Sequence, residues 1–172
     1  MSTAFAANGG RAFRQATTAD FDDILRLNSD WVHFTSPLDE SALDRLHALA
    51  AYHKVIEVRG RVVAFLLALR EGADYDSPNY LWFSERGGTF LYIDRVIVDR
   101  TEQGGGLARM LYDDLFSFAK SQSIPQVVCE LDLEPPNDAS RRFHDALGFR
   151  EVGTQWVAGG TKRVSLRQAD VG

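Results

Sequence analysis

The sequence predicts an α+β domain in which helices flank a mixed, mostly antiparallel central sheet. Three observations predict it: runs of strand-like residues, stretches with apolar residues at helical spacing, and a two-residue turn at Arg59 and Gly60 that joins two strands into a hairpin. The expected order, β-α-α-β-β-β-α-β-α-β-β, combines hairpins with helical connections. A chain of 172 residues has the usual size of one domain. Residues 11–172 are expected to form it, and residues 1–10 to be a flexible N-terminus.

The expected strands are runs of β-branched and aromatic residues that turn residues interrupt. The Arg59-Gly60 turn separates the second strand from the third, and a Gly159-Gly160 turn precedes the last. Strands are expected at residues 13–16, 55–58, 61–69, 89–98, 126–133, 149–157 and 161–166.

The expected helices have apolar residues on one face and begin after a residue or turn that can satisfy their first N–H groups. Thr18 and Asn137 are candidate N-caps, and Gly148 suits the left-handed position after the last helix. Helices are expected to begin near residue 18, to span residues 41–52, to run from a glycine-rich turn to about residue 121, and to span residues 139–147. Residues 71–88 are expected to form a long loop.

Composition and charge exclude several classes of protein. The formal net charge is −5 and no cluster of lysine and arginine occurs, so a nucleic acid is not an expected partner. The longest apolar run, residues 62–69, is too short to span a bilayer, and the N-terminus lacks the regions of a signal peptide. A cytoplasmic protein without a membrane partner is therefore expected. The single cysteine, Cys129, is expected to be a buried strand residue. No two histidines have metal-ligand spacing, so no metal is expected.

The segment that points most directly to chemistry is the glycine-rich turn between the fourth strand and the third helix. Gly104, Gly105 and Gly106 carry no Cβ that would keep a ligand away from the backbone. The first N–H groups of the following helix have no internal partners, and the helix dipole places about half a positive charge there. The turn therefore suits a phosphate or pyrophosphate. No lysine follows it as in a Walker A loop, and it lies too late in the chain for a dinucleotide fingerprint. By itself it leaves the ligand open.

Two motifs at the expected separation resemble those of the GNAT N-acetyltransferase superfamily. Gln103-x-x-Gly106-x-Ala108 is similar to the family signature Arg/Gln-x-x-Gly-x-Gly/Ala. The later block from Asn137 to Phe149 resembles the family's Asn-x-x-Ala-x-x-x-Tyr-x-x-x-Gly-Phe. The order of elements also suits the family, so the resemblance covers most of the chain. It implies the acyl-CoA N-acyltransferase fold, acetyl-CoA as cosubstrate, and direct attack of a primary amine, on a small molecule or a peptide, on the acetyl group.

The resemblance also implies which residues meet the cofactor. Backbone groups of the fourth strand would meet the pantetheine arm and the thioester, and the glycine-rich turn would surround the pyrophosphate. Asn137 would reach the pantetheine, serve as a plain N-cap, or do both. The implied cofactor-binding residues are Val96, Ile97, Val98, Gln103, Gly104, Gly105, Gly106, Leu107, Ala108, Arg109 and Asn137.

Three residues are candidates for proton transfer. His144 stands where the family often has a tyrosine that donates a proton to the leaving thiolate. An imidazole can donate or accept near neutral pH, or the ring can simply pack. Asp94 and Glu130 lie on the fourth and fifth strands and are candidate general bases, acting directly or through water. The alternatives are solvated carboxylates and, for Asp94, an ion pair with the neighbouring Arg95.

Tyr80, Trp82 and Phe83 lie in the expected loop and are candidate contacts for the ammonium group of an acceptor, through cation–π interactions. A self-packed loop or a dimer contact would explain the same residues. The acceptor and the formation of a homodimer stay open. A non-catalytic acyl-CoA sensor of the same fold is the main alternative function, and a nucleotide-binding enzyme that uses the same turn is another.

Overall fold

The computed structural model describes residues 10–172, and over this range seven strands form a mixed sheet with five α-helices. The predicted fold class is confirmed. The strands are β1 (Arg11–Gln15), β2 (Tyr52–Val58), β3 (Arg61–Arg70), β4 (Leu91–Val98), β5 (Gln126–Glu134), β6 (Arg150–Val157) and β7 (Lys162–Asp170). The α-helices are α1 (Phe21–Asp30), α2 (Glu40–Leu49), α3 (Pro78–Glu85), α4 (Leu107–Ser121) and α5 (Asp138–Ala146). Most of the N-terminal segment predicted to be flexible lies outside the described residues.

The chain divides into two compact units, each built from two stretches of sequence. The first unit comprises the chain up to Leu69 together with Asp94–Leu115, and the second comprises Arg70–Ile93 together with Phe116–Gly172. Strand β4 and helix α4 contribute residues to both units.

The first unit contains β1, β2, β3 and the end of β4, as neighbours in that order. β1 pairs antiparallel with β2, and β2 pairs antiparallel with β3, where Val55 lies opposite Phe65. The predicted turn at Arg59 and Gly60 joins β2 to β3 with φ angles of +52° and +79°. Positive φ at both central residues is the requirement of a tight hairpin turn. The hairpin prediction is therefore confirmed in its detail.

Helices α1 and α2 form the core of the first unit with these strands. Ile24 and Leu27 on α1 and Leu43 on α2 are fully buried in a cluster that includes Val55 and Phe65. Their spacing places them on one face of each helix. Burial of each such side chain contributes about 1.5–3 kcal/mol to stability. The packed face of each helix is thus the one that the apolar periodicity predicts.

The second unit contains the start of β4 and then β5, β7 and β6 as neighbours. β4 and β5 pair in parallel at Leu91 with Val127 and at Tyr92 with Val128. Both β5 and β6 pair antiparallel with β7. A parallel pair needs a long crossover, which α4 supplies because it lies between β4 and β5 in the sequence.

The loop predicted for residues 71–88 contains helix α3, and that prediction is wrong over this part. Pro78 stands at the start of the helix, where a missing N–H costs nothing. Tyr80 and Phe83, three residues apart, are buried against Phe90 and Tyr92. The pattern of apolar residues does not predict this helix, because its polar and apolar residues do not separate into two faces.

A pair of histidines lies in the interior of the first unit. The Nδ1 atoms of His47 on α2 and His53 on β2 are 2.8 Å apart, so one ring donates a hydrogen bond to the other. His53 is only 4% exposed, and its Nε2 has no hydrogen-bond partner within residues 10–172. Burial, assisted by the nearby His47, lowers the pKa of His53 to about 4.

We expect the free energy of unfolding to fall as the pH is lowered from 6.5 towards 4. The pKa of His53 is about 4 in the folded chain against 6.5 in the unfolded one, so the unfolded chain binds a proton that the folded chain does not. The full difference between the two pKa values of His53 corresponds to roughly 3 kcal/mol in the free energy of unfolding. Urea denaturation of the native protein and of His53→Phe at several pH values measures it, with the exposed His33→Phe as control. An equally steep pH dependence in His53→Phe would contradict the assignment.

Candidate active site

The glycine-rich turn connects β4 to α4 within the first unit. Gly104 and Gly106 have φ angles of +80° and +78°, a left-handed conformation that suits glycine. Open space surrounds both positions, since no heavy atom lies within 4 Å of where a Cβ would stand. Residues 103–106 are exposed, and the first turn of α4 contains no acidic residue. The N–H groups at the start of a 15-residue helix are thus open to an anion.

The other residues of the predicted cofactor site differ in what they offer. The Leu107 side chain is buried in the core, so only its backbone is available to a ligand. Ala108 is half-buried. Arg109 is exposed and pairs with Asp113 one turn later at 2.9 Å. The guanidinium of Arg109 lies in the first turn of α4. An anion bound there would be a second partner for it beside Asp113.

At the end of β4, one of the backbone groups already has hydrogen-bond partners within the protein. The carbonyl of Val98 accepts hydrogen bonds from Trp31 Nε1 at 3.0 Å and from Gln103 Nε2 at 3.1 Å. Ile97 buries its side chain in the core, whereas Val96 is half-exposed. The predicted contacts of this strand with pantetheine must therefore come from groups other than the Val98 carbonyl.

Asp94, a candidate general base, is part of a buried ion pair. Its Oδ2 lies 2.7 Å from Arg95 Nε, and the two side chains are 4% and 5% exposed. The Arg95 guanidinium also donates to the side chains of Asn28 on α1 and Ser36 beyond it, at 2.8 and 3.2 Å. A carboxylate that is buried and paired in this way is shielded from a ligand. The placement favours the ion-pair alternative for Asp94.

Glu130, the other candidate base, has a different environment in the second unit. The hydroxyl of Tyr92 donates a hydrogen bond to its Oε2 at 2.8 Å. Tyr92 is fully buried and packs against Tyr80 and Phe83, with ring centroids 5.4 and 6.2 Å away. Glu130 is half-exposed, so its carboxylate is oriented by a fixed donor and can still meet a ligand. Tyr92 is a residue that sequence reasoning missed, because its partner lies 38 positions away.

His144 lies on α5 in the second unit and is buried at 5% exposure. Its Nδ1 is 2.7 Å from the carbonyl oxygen of Ser140, so Nδ1 carries a proton and donates it. The neutral ring then presents a lone pair at Nε2. Burial, opposed by the Ser140 hydrogen bond and assisted by Arg167, lowers the pKa of His144. The neutral ring is therefore the favoured form, and it can accept a hydrogen bond at Nε2 while its burial opposes the uptake of a proton.

Asn137 caps the helix that carries His144. Its Oδ1 accepts a hydrogen bond from the backbone N–H of Ser140 at 3.2 Å. The structure therefore shows the N-cap, while contact of Asn137 with pantetheine stays a prediction.

The three aromatic residues predicted to meet the acceptor are placed differently from one another. The Tyr80 hydroxyl donates to the carbonyl of Arg70 and accepts from the N–H of Ala73, and its ring is 1% exposed. Phe83 is also buried. Both are core residues of α3, which favours the self-packed alternative for them. The burial of Tyr80 follows from its spacing with Phe83, a signal that the sequence already contained.

Trp82 is partly exposed, and its ring faces a cation of the same chain. The Arg86 guanidinium lies 3.5 Å from the ring centroid. On the strand β6, Gly153 approaches the ring so closely that a Cβ at this position would overlap it. The Trp82 ring therefore packs between α3 and β6, in addition to any contact that it makes with an acceptor.

Two classes of feature are absent from the described range. Within residues 10–172, no three His, Cys, Asp or Glu side chains are grouped so that they could hold a metal ion. Over the same residues, no helix combines the length and the apolar character needed to cross a membrane. The buried Cys129 has its pKa raised by burial.

Comparison with known proteins identifies the family. The model of the acetyltransferase (GNAT) family matches residues 18–149, and the chain belongs to this family. Phosphinothricin N-acetyltransferase of Streptomyces viridochromogenes is 32% identical over 98 residues, which are 57% of this chain. The match spans about half of that relative, 51% of its length.

Solved structures share the fold at low sequence identity. Ard1 from Thermoplasma volcanium has a TM-score of 0.74 and 18% identity, covering 94% of this chain and 98% of its own. Arabidopsis thaliana Naa50, in complex with the bisubstrate analogue CoA-Ac-MVNAL, has a TM-score of 0.70 and 13% identity, covering 92% and 97%. These likenesses concern the fold alone.

We expect NMR of the imidazole nitrogens to find the Nδ1–H tautomer of His144 at pH 7, with a titration midpoint below the usual 6.5. Burial is the main cause of the lowered pKa, and the Ser140 carbonyl fixes the proton on Nδ1. The exposed His33 provides the internal comparison. A proton found on Nε2, or a midpoint above 6.5, would show that His144 is better placed to donate than to accept.

Proposed function

We propose that this member of the GNAT family transfers the acetyl group of acetyl-CoA to a primary amine. The observation that carries the proposal is the turn before α4, where exposed glycine backbone and the free N–H groups of a long helix meet. Membership of the family supports acetyl transfer as the reaction. The named activity of the Streptomyces relative makes phosphinothricin the first acceptor to test.

The pyrophosphate of the cofactor is assigned to residues 103–109. The first N–H groups of α4 donate to its oxygens, and the helix dipole stabilises its charge. Arg109 adds a positive charge to this site when its exposed side chain turns from Asp113 towards the pyrophosphate. Backbone groups of β4 near Val96 and Ile97 bind the pantetheine arm, which positions the thioester.

The transfer itself needs a proton acceptor for the amine. The neutral amine attacks the thioester carbonyl carbon and a C–N bond forms. The nitrogen then loses a proton to the base, the C–S bond breaks, and the thiolate of CoA takes up a proton from water. Glu130 is assigned as the base, acting directly or through a water molecule, because its carboxylate is half-exposed and held by Tyr92. Asp94 is assigned a structural role, since its carboxylate is buried in an ion pair with Arg95.

His144 is assigned as a hydrogen-bond acceptor at Nε2. To deliver a proton to the thiolate, its ring would first have to be protonated, which its burial opposes. The low tendency of His144 to be protonated also supports the second candidate function, an acyl-CoA-binding module that does not catalyse acyl transfer. The family's tyrosine donor is replaced here by a ring that the structure favours in its neutral form.

A thiol-release assay with acetyl-CoA and a panel of amines separates the two functions. The panel contains phosphinothricin, free amino acids and short peptides with a free N-terminus. Release of CoA thiol that depends on one class of amine supports the transferase. Binding of acetyl-CoA in calorimetry without turnover of any amine supports the sensor, and the absence of binding overturns both.

We expect Gly106→Val to weaken CoA binding at least tenfold in calorimetry. A branched side chain would stand in the open space assigned to the pyrophosphate, at a φ of +78° that valine tolerates poorly. Gly87→Val is the matched control, because Gly87 has a φ of +73° and equally open surroundings in a turn after α3. If both variants bind CoA with the native affinity, the anion lies elsewhere.

We expect Glu130→Gln to lower kcat by about 10²–10⁴-fold with little change in the KM for acetyl-CoA, because it removes the base. Tyr92→Phe is expected to lower kcat by about tenfold, since one hydrogen bond to a charged group is lost. Added to Glu130→Gln, the Tyr92 change should have little further effect, as expected of a positioning residue. Tyr80→Phe removes a hydroxyl from the same aromatic cluster and serves as control. Independent effects of Tyr92 and Glu130 would argue against their coupling.

A further inference from the structure

The carbonyl of Val98, at the end of β4, accepts hydrogen bonds from two different parts of the first unit. Trp31 Nε1 donates to it at 3.0 Å, and Gln103 Nε2 donates at 3.1 Å. Trp31 belongs to the segment after α1, and Gln103 begins the glycine-rich turn. A carbonyl oxygen has two lone pairs, so both are occupied. The N–H of the same peptide, on Asp99, donates to the Val63 carbonyl at 2.7 Å, so the whole peptide is fixed.

Trp31 is the fixed donor of this pair. Its ring packs against the apolar core of the first unit, and its backbone N–H donates to the Asn28 carbonyl at 3.2 Å. The Trp31 carbonyl accepts from the N–H of Phe34 at 2.9 Å. The guanidinium carbon of Arg100 lies 4.0 Å from the centroid of the indole ring, and Nη2 of the same arginine donates to the Asp30 carbonyl at 2.9 Å. The indole N–H therefore donates from a rigid support.

Gln103 is the exchangeable donor of the pair. The residue is exposed, and its hydrogen bond to Val98 is made at the surface. Such a bond contributes little, because water competes for both of its partners. Gln103 directly precedes the three glycines of the turn. Its amide can therefore rotate from the carbonyl towards an anion bound there at small cost.

We propose that Trp31 is a positioning residue for the binding of CoA at this turn. When the cofactor binds, the Gln103 amide leaves the Val98 carbonyl and donates to a pyrophosphate oxygen, while Trp31 keeps the carbonyl paired. The exchange gains a hydrogen bond to a charged group and leaves no acceptor unpaired. Trp31 acts through Val98 and Gln103 and makes no contact with the cofactor. The inference rests on the assignment of the pyrophosphate to residues 103–109 under the proposed function.

The shared carbonyl makes the effects of Trp31 and Gln103 depend on each other. In Trp31→Phe, the departure of Gln103 leaves the Val98 oxygen to water alone, so CoA binding becomes weaker. In Gln103→Met, no donor leaves the carbonyl on binding, and the hydrogen bond from Trp31 is the same with and without CoA. The Trp31 change therefore lowers the affinity only while Gln103 is present.

Calorimetry of the whole chain with CoA measures this dependence. We expect Trp31→Phe, which keeps an aromatic ring but lacks the N–H, to weaken binding about fivefold, as for one net hydrogen bond. The same change made in Gln103→Met should alter the affinity by less than about twofold. Trp156→Phe is the matched control and should leave it unchanged, because the Trp156 ring is 54% exposed on β6 in the second unit. Equal losses in both backgrounds, or no loss in either, would overturn the inference.

NMR of the native protein tests the exchange without a change at Trp31. The side-chain amide of Gln103, assigned from its absence in Gln103→Met, should shift on saturation with CoA, while the indole N–H of Trp31 stays protected from exchange with solvent. An unshifted Gln103 amide, or an indole N–H that CoA makes exchangeable, would overturn the inference although the cofactor binds. A native protein that does not bind CoA at all would overturn the proposed function as well.

Discussion

The guanidinium of Arg95, buried on strand β4, needs partners from several elements of the first unit. Arg95 is 5% exposed at its side chain, and a charge so far from water must be paired and hydrogen-bonded where it lies. Asp94 supplies the opposite charge, and Asn28 and Ser36 supply oxygen acceptors from α1 and the segment that follows it. Loss of one partner from such a buried pair costs about 3–5 kcal/mol. The strand and the helix are therefore held in one arrangement by a polar contact inside an otherwise apolar core.

This pairing has a consequence for the chemistry. Asp94, the candidate base on β4, is paired with Arg95, whereas Glu130 on β5 is half-exposed. Glu130 is held by Tyr92, whose ring is fixed in turn by the aromatic residues of α3. An unpredicted helix thus supports the residue to which proton abstraction is assigned. The aromatic residues of α3 act on the site through packing, with Trp82 also fastened to β6.

The elements were predictable to the extent that local pattern determines them. The hairpin at Arg59 and Gly60, the apolar faces of α1 and α2, and the N-cap at Asn137 all follow from residues close together in the chain. Helix α3 was missed because its apolar residues are spread around its axis, although Pro78 and the spacing of Tyr80 and Phe83 were visible signals. The same spacing explains why these two residues are buried.

The sequence by itself indicated the family and predicted the glycine-rich turn before α4, since both depend on short motifs whose geometry is local. Three glycines before a helix expose its N–H groups wherever the helix is placed. Only the tertiary structure decided which carboxylate is paired with an arginine, which ring nitrogen of His144 carries the proton, and that Tyr92 donates to Glu130. Each of these depends on a partner contributed by another element, as with Arg95 and Asn28, which lie 67 positions apart. Charge and protonation are properties of such neighbours, and the order of residues along the chain does not specify them.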